Sequence, residues 1–496
     1  MEFIIPAISN VFSLSVLLTI VLGTAIGISI GALPGLTATM GVALMLPVTF
    51  GMEPVSGILL LIGVYFGSIY GGSISAILIN TPGTPSAAAT AIPGYKLTKK
   101  GYAYKALTTA TLASGSAGIL SVFLLIFVAP QLSKFALNFS AQETFALTVF
   151  GLAVITSVAG DSMIKGLIAA SIGLLVGTIG TDPVTGFSRY TFGNYNLTSG
   201  VDFIPIMIGL FAASQAFISF DEYMQSKELK YTIKKVKLRW TEFKSVIVTI
   251  IRSAGIGAFI GMIPGAGGDI GAFVAYNVTE NVTKDKKAFK EGDLKGVASP
   301  ESANNGSTGG AMIPLLTLGI PGDAVTAVLL GALMVQGIQP GPDLFQQDGE
   351  LVYSLFIGMI LANATVILLG LLGVRFFIKI LDIPKILLMP VILVLCSVGS
   401  YALGNNMFDV YVMLISGIIG YLMIKFNFSA PPVILALILG PMMEENLRRG
   451  LSLTGGDFMS FFYRPISGTL LFLAIITLIL PFIIRAFQRN KMSKQG

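Results

Sequence analysis

Apolar stretches long enough to cross a lipid bilayer recur from one end of this chain to the other, for example at residues 11–33, 113–130, 204–220, 351–372 and 466–484. A hydrocarbon core of about 30 Å takes roughly 20 residues of α-helix. Backbone crossing that core must satisfy its own hydrogen bonds, which for isolated apolar runs means helix. The chain therefore reads as an all-α polytopic membrane protein of about 10–12 crossings, with further segments broken by Pro-Gly or re-entrant. Composition agrees: 54% of the 496 residues are hydrophobic and 11% are charged, against roughly 25% charged in a soluble domain. No long hydrophilic block interrupts the pattern, so residues 1–496 are expected to form a single membrane transport domain.

The absent residue types exclude whole classes of chemistry. There is no histidine, and Cys396 is the single cysteine. This removes His-based acid–base catalysis, most zinc sites and any disulfide framework, and neither metal nor cofactor is expected. The net charge of +6 sits in short connections and reads as an orientation signal rather than a nucleic-acid footprint. Lys227, Lys230, Lys234, Lys235, Lys237, Arg239, Lys244 and Arg252 form the largest basic cluster, and Arg485, Arg489, Lys491 and Lys494 close the chain. Both groups are expected inside. The first ten residues carry Glu2 and no base, which predicts an external N-terminus, an internal C-terminus and an odd number of crossings. No basic n-region precedes the first apolar stretch, so it is expected to be retained. Lys96, Lys99, Lys100 and Lys105 form a third basic group that argues against this placement.

A duplication gives the organisation. Gly27, Gly31, Pro34, Gly35 and Gly41 recur as Gly257, Gly261, Pro264, Gly265 and Gly271, each displaced by 230 positions. Gly67, Ser68, Gly71, Pro82 and Gly83 recur as Gly306, Ser307, Gly310, Pro321 and Gly322, each displaced by 239. The nine extra residues fit the charged stretch 284–295, which the first unit replaces with Met52-Glu53-Pro54. One unit starts beside an acidic, base-free end and the other beside the largest basic cluster, so the two are expected to enter the membrane from opposite sides. Such inverted-topology repeats place a transport site near the midplane, between discontinuous helices. The expected bounds are about 11–225 and 243–450, followed by a C-terminal helix at 466–488.

Four Pro-Gly pairs, Pro34-Gly35, Pro82-Gly83, Pro264-Gly265 and Pro321-Gly322, interrupt otherwise apolar segments. Proline removes a backbone donor and glycine accepts conformations closed to other residues. Freed backbone at membrane depth is tolerated only in a protein interior or against a wet cavity. N–H groups at broken helix ends attract anions, while freed carbonyls and side-chain oxygens suit Na⁺. The candidate substrate-binding residues are therefore Thr37, Thr39, Asn80, Thr81, Gly83, Thr84, Gly267, Gly268, Asn304, Asn305, Ser307 and Thr308. The candidate ion-binding residues are Pro34, Ser73, Pro264 and Asp269. Asp269 and Glu301 are costly to place in a membrane and read either as functional groups, including proton carriers, or as loop residues at the water boundary. By contrast Gly23, Gly27, Gly31 and Gly63, Gly67, Gly71, at spacing four, read as close-packing faces of neighbouring helices. Glu444, Glu445, Arg448 and Arg449 read as an interfacial ion-pair group.

Two other classes are weighed against a transporter. An intramembrane aspartyl protease needs Gly-x-Gly-Asp, but Ala266 stands three residues before Asp269. A serine counterpart needs a His or Lys base. A passive anion channel would show charge rings or a symmetric short filter rather than inverted halves. No enzyme activity is expected.

The segments that carry these features closely resemble the large membrane subunit of the tripartite tricarboxylate transporter family. The matching runs are GALPGLTATM at 31–40, YGGSISAILINTPGTP at 70–85, PGAGG at 264–268, PESANN at 300–305, PLLTLGIPG at 314–322, GIQPG at 337–341 and GPMMEENLRR at 440–449. The resemblance implies a permease of the bacterial cytoplasmic (inner) membrane, driven by a cation gradient. It implies as partners a small membrane subunit of about four helices and a periplasmic solute-binding protein that delivers a carboxylate such as citrate. A homo-oligomer is compatible with it. Na⁺ is the expected coupling ion, with H⁺ as the alternative. The site residues above come from the Pro-Gly reasoning and not from the resemblance.

Overall fold

The computed structural model describes residues 3–158, 162–182, 185–223, 236, 238–380 and 385–492. Lys227, Lys230, Lys234, Lys235, Lys237 and Lys494 lie outside the described residues. The first half runs α1 (Ile4–Val11), α2 (Leu14–Ala32), α3 (Ala38–Met45), α4 (Pro54–Ile79), α5 (Ala88–Lys99), α6 (Ala103–Ala136), α7 (Ala141–Val158) and α8 (Met163–Gly177). A small hairpin, β1 (Gly180–Thr181) and β2 (Ser188–Arg189), precedes α9 (Phe203–Ile208) and α10 (Ser214–Tyr223). The second half begins with α11 (Trp240–Gly261), α12 (Gly267–Val282), α13 (Lys286–Lys290), α14 (Leu294–Leu318), α15 (Ala324–Val335), α16 (Leu344–Gln347) and α17 (Gly349–Leu372). It ends with α18 (Val374–Ile380), α19 (Lys385–Gly404), α20 (Met407–Lys425), α21 (Pro431–Leu453), α22 (Ser460–Tyr463) and α23 (Pro465–Met492). Among the described residues six helices, α2, α4, α6, α11, α17 and α20, are long and apolar enough to cross a membrane. Shorter apolar helices accompany them. The all-α polytopic membrane class holds.

Local chemistry sets where the helices begin and end. The Glu53 carboxylate accepts the N–H groups of Val55 and Ser56 at 3.2 and 3.0 Å, and Pro54 takes the first turn of α4. Pro lacks the donor that this turn would leave unpaired. At the other end Asn80 adopts φ 57° and stops the helix, a conformation Asn tolerates better than most residues.

Interlocked glycines fix the helix directions. Gly23, Gly27 and Gly31 of α2 abut the backbone of Leu60, Val64 and Ser68 on α4. A Cβ at any of them would strike a main-chain carbonyl, so the spaced glycines do pack helices closely, as expected. Both sets of numbers rise together, so α2 and α4 are parallel. Gly257 and Gly261 of α11 abut Ala303 and Ser307 of α14, and Gly306 and Gly310 abut Ala254 and Ala258. These pairs are the first-half contacts displaced by 230 on one helix and 239 on the other. Since α2 ends beside Ser68, it stops about 16 Å short of the end of α4 at 1.5 Å per residue. The short α3 then carries the chain back.

Further contacts orient the halves. Leu59 meets Gly358 and Tyr70 meets Gly370, so α4 and α17 are parallel. Gly115 meets Ile367 and Gly118 meets Asn363, so α6 and α17 are antiparallel. Ser114 bonds Glu301 at 2.8 Å and Ser121 meets Gly309, so α6 and α14 are parallel. It follows that α4 and α14 run in opposite directions. The basic groups also converge. Lys96 donates to the Lys290 carbonyl at 2.7 Å, and Lys105 pairs with Glu242 at 2.6 Å. The third basic group thus lies at the same end of the molecule as the start of α11.

Glu444 and Arg448 of the predicted ion-pair group do pair, and the hairpin adds further partners. Arg448 pairs with Glu444 at 2.6 Å and with Asp182 at 3.0 Å, while Arg189 pairs with Glu444 at 2.8 Å.

Candidate binding cavity

Each Pro-Gly pair ends a helical run, and the residues that follow each pair turn toward one cavity of about 450 Å³. Thr37, Ala38 and Thr39 open α3, and Gly267, Gly268 and Asp269 open α12. Thr84, Pro85 and Ser86 lead into α5, and Asp323, Ala324 and Val325 open α15. Tyr65 and Ile69 enter from the middle of α4, and Asn304 and Ser307 from the middle of α14. Leu210, Phe211, Ser214 and Gln215 form another wall, and Ile424 and Phe428 to Pro431 complete the lining. Four helix starts therefore present their N–H-rich ends to one space. No lysine or arginine lines it among the described residues.

The two offsets run through this lining. Thr37, Ala38 and Thr39 stand 230 positions before Gly267, Gly268 and Asp269, and Tyr65, Thr84, Pro85 and Ser86 stand 239 before Asn304, Asp323, Ala324 and Val325. Seven wall residues of one half thus have their counterpart in the wall of the other.

Hydrogen bonds hold the turns. Thr37 Oγ1 accepts the Met40 N–H at 3.2 Å. Asp323 accepts the Thr326 N–H at 2.7 Å, and Thr326 Oγ1 accepts the Asp323 N–H at 2.8 Å, a reciprocal cap of the kind that fixes a helix start. The Tyr65 hydroxyl donates to Asp323 Oδ2 at 2.7 Å and ties the two halves together across the cavity. The Thr84 and Ser86 hydroxyls lie 3.2 Å apart, and Ser86 faces the Asp269 carboxylate. Asn304 is fully buried, yet neither atom of its amide has a hydrogen-bond partner. A Cβ at Gly268 would sit 2.5 Å from Asn304 Oδ1 and 2.8 Å from Ser307 Oγ, so only glycine lets the α12 start approach α14 so closely.

Of the expected substrate residues, Thr37, Thr39, Thr84, Gly267, Gly268, Asn304 and Ser307 line this cavity, as does Asp269 of the expected ion residues. The others do not. Asn80 and Thr81 are exposed at the end of α4. Gly83 is buried one position before the wall, donating its N–H to the Gly72 carbonyl at 3.2 Å. Asn305 donates to the Glu301 carbonyl at 3.2 Å, and the Thr308 hydroxyl donates to the Asn305 carbonyl at 2.7 Å, both within α14. Ser73 donates to the Tyr70 carbonyl at 2.6 Å. Pro34 sits in the turn after α2, and Pro264 lines a separate apolar cavity with Leu132 and Phe135. Glu301 is no boundary residue: it lies inside α14, fully buried, accepting from Thr90 at 2.5 Å and Ser114 at 2.8 Å.

Tyr65 and Asp323 were not anticipated, whereas Ser86 belongs to the polar residues that crowd the Pro82-Gly83 break. The signal for Asp323 was present, because it directly follows Pro321-Gly322 and is the 239-offset counterpart of Thr84. Tyr65 is likewise the counterpart of Asn304. Ser214, Gln215 and Ser429 carry no sequence signal, since they approach only through tertiary packing.

Residues 17–435 match the model of the "Tripartite tricarboxylate transporter TctA family". The chain is 40% identical over 452 residues, covering 90% of its length and 89% of the relative's, to the uncharacterized 52.8 kDa protein in the TAR-I ttuC' 3' region of Agrobacterium vitis. It is 39% identical over 224 residues, 45% of this chain and 93% of the relative, to an uncharacterized protein in the TAR-II ttuC' 3' region of the same organism. No solved structure matches.

Proposed function

The chain belongs to the tripartite tricarboxylate transporter TctA family, and from that membership and its cavity we propose that it is the permease of a cation-coupled carboxylate uptake system. Its substrate is a di- or tricarboxylate of the citrate type, carried across the bacterial cytoplasmic membrane. The observation that carries this reading is the convergence of four helix starts on a cavity without basic side chains. Burying a carboxylate without compensation is prohibitive. Here the compensation comes from backbone N–H groups, from the hydroxyls of Thr37, Thr39 and Thr84, and from a bound cation. The cavity volume of about 450 Å³ falls within the range of small-molecule sites.

The two halves are proposed to be inverted-topology repeats. Support comes from the opposite directions of α4 and α14 and from helix contacts and cavity walls that repeat at the same two offsets. The shared basic end of Lys96, Lys105 and the α11 start supports an external N-terminus and an internal C-terminus. The partners are a small four-helix membrane subunit and a periplasmic binding protein that delivers the solute. No part of the chain forms an external capture domain among the described residues.

Na⁺ is favoured as the coupling ion because turns of this kind expose carbonyl and hydroxyl oxygens. In proteoliposomes containing both membrane subunits and loaded binding protein, an inward Na⁺ gradient is expected to drive carboxylate accumulation at least tenfold above equilibrium. Accumulation that follows a pH gradient and ignores Na⁺ would establish proton coupling. Flux that only equilibrates the solute under both gradients would reject the carrier reading in favour of a channel.

A further inference from the structure

The corresponding positions of the cavity wall differ in a one-sided way. Thr39 of the first half is matched by Asp269 of the second, and Thr84 is matched by Asp323. Both carboxylates therefore stand on the second-half side, and the first-half side keeps hydroxyls. No lysine or arginine among the described wall residues offsets either acid. Resting on the reading of this cavity as the transport site, we infer that a monovalent cation binds against Asp269, Asp323 and the Asn304 amide oxygen, opposite a hydroxyl-lined half that takes the substrate carboxylates.

Three observations converge on that corner. The Cβ of Asp323 lies 3.6 Å from where a Cβ on Gly267 would stand, so Asp323 borders the α12 start. Asn304 Oδ1 borders the same start at Gly268. Asn304 is fully buried and both atoms of its amide are unpartnered, a cost of about 1–3 kcal/mol per group unless something fills the space. A cation accepted by Oδ1 and a carboxylate accepting from Nδ2 would satisfy both ends of one side chain. Asn304 would then link the two ligands directly, which is a physical route to coupled binding.

Capping duty does not use up the acids. Asp323 gives one oxygen to Thr326 and the other to Tyr65, yet an ionised carboxylate offers about four lone-pair sites. No group of three or more Asp, Glu, His or Cys that could hold a metal occurs among the described residues. Mg²⁺ is also held by one or two carboxylates, but it dehydrates reluctantly and keeps several waters, whereas the carbonyl oxygens freed at broken helix ends suit Na⁺.

The test uses the full chain with its small subunit in nanodiscs, without carboxylate. Thermal unfolding is followed while NaCl replaces choline chloride at constant ionic strength and pH. NaCl should raise the melting temperature saturably. The half-saturating Na⁺ concentration should rise at least tenfold in Asp269→Asn, Asp323→Asn and Asn304→Ala, and stay unchanged in Glu350→Gln, an exposed acid of α17. Asn is a good helix cap, so Asp323→Asn retains the start of α15. A wild-type protein indifferent to Na⁺, or aspartate variants that respond like wild type, would overturn the inference. A second arm adds citrate. If NaCl leaves the melting temperature unchanged while citrate raises it in choline, the cation site falls and the carboxylate cavity stands. If the aspartates govern Na⁺ binding but citrate leaves the melting temperature unchanged, the cation site stands and the citrate reading falls.

Discussion

A chain carrying Gly261→Val is expected to fail to assemble as a monodisperse, cooperatively melting protein. The new Cβ would land on the carbonyl of Ser307, in the seam where α11 and α14 touch backbone to backbone. The obstacle is main chain rather than the far end of a flexible side chain, so relief requires the two helices to separate. Overpacking of a tight interface costs about 1–3 kcal/mol and occasionally more. This site belongs at or beyond the upper end, because Gly322 also packs on the Gly261 carbonyl and Ser307 lines the cavity. Gly255→Val on the same helix is the control, since nothing lies within 4 Å of a Cβ there. Size-exclusion profiles and melting curves should separate the two variants sharply. A Gly261→Val protein as stable as Gly255→Val would mean that the seam is looser than described.

The second large effect concerns Glu301. Its carboxyl accepts hydroxyl hydrogen bonds from Thr90 of α5 and Ser114 of α6 while fully buried in α14. It therefore joins three helices drawn from both halves. Glu301→Ala removes both bonds and leaves a void, a loss of about 2–4 kcal/mol. Glu301→Gln keeps the shape and one acceptor oxygen, and the hydroxyl that faces the new NH₂ can rotate to accept from it, so this variant should melt well above Glu301→Ala. Melting curves of the two variants decide the matter. If Glu301→Gln falls as far as Glu301→Ala, the glutamate is held by a charge interaction rather than by these two hydroxyls.

The sequence and the structure agree where local chemistry decides the outcome. The spaced glycines announced close helix seams because a Cβ has no room between touching backbones. The Pro-Gly pairs announced helix ends because proline cannot continue a hydrogen-bonded ladder. The site was legible only in part, and the misses have two causes. Asn80, Thr81 and Pro264 stand at or before a Pro-Gly pair, whereas the wall is built from the residues that follow each turn, where N–H groups are free. Carrying the 239-residue offset from Thr84 would have found Asp323. The walls from Leu210 to Gln215 and around Phe428 depend on how distant helices pack, and no local pattern reports that. The Glu301 network is hidden for the same reason: Thr90 and Ser114 stand 211 and 187 positions away from it.

The central claim is that the carboxylate occupies the cavity where the four helix starts meet. Cys396 is the single cysteine and is buried, so a Cys396→Ser background allows one reporter thiol to be placed at Thr39 or Ser214. The decisive measurement is the rate at which a small thiol reagent labels that cysteine in the transport-competent complex, with and without citrate in Na⁺. Bound substrate should slow labelling at both positions at least tenfold, and replacing Na⁺ with choline should restore the rate. Labelling unaffected by citrate, in a complex that still accumulates citrate, would place the substrate elsewhere and contradict the account.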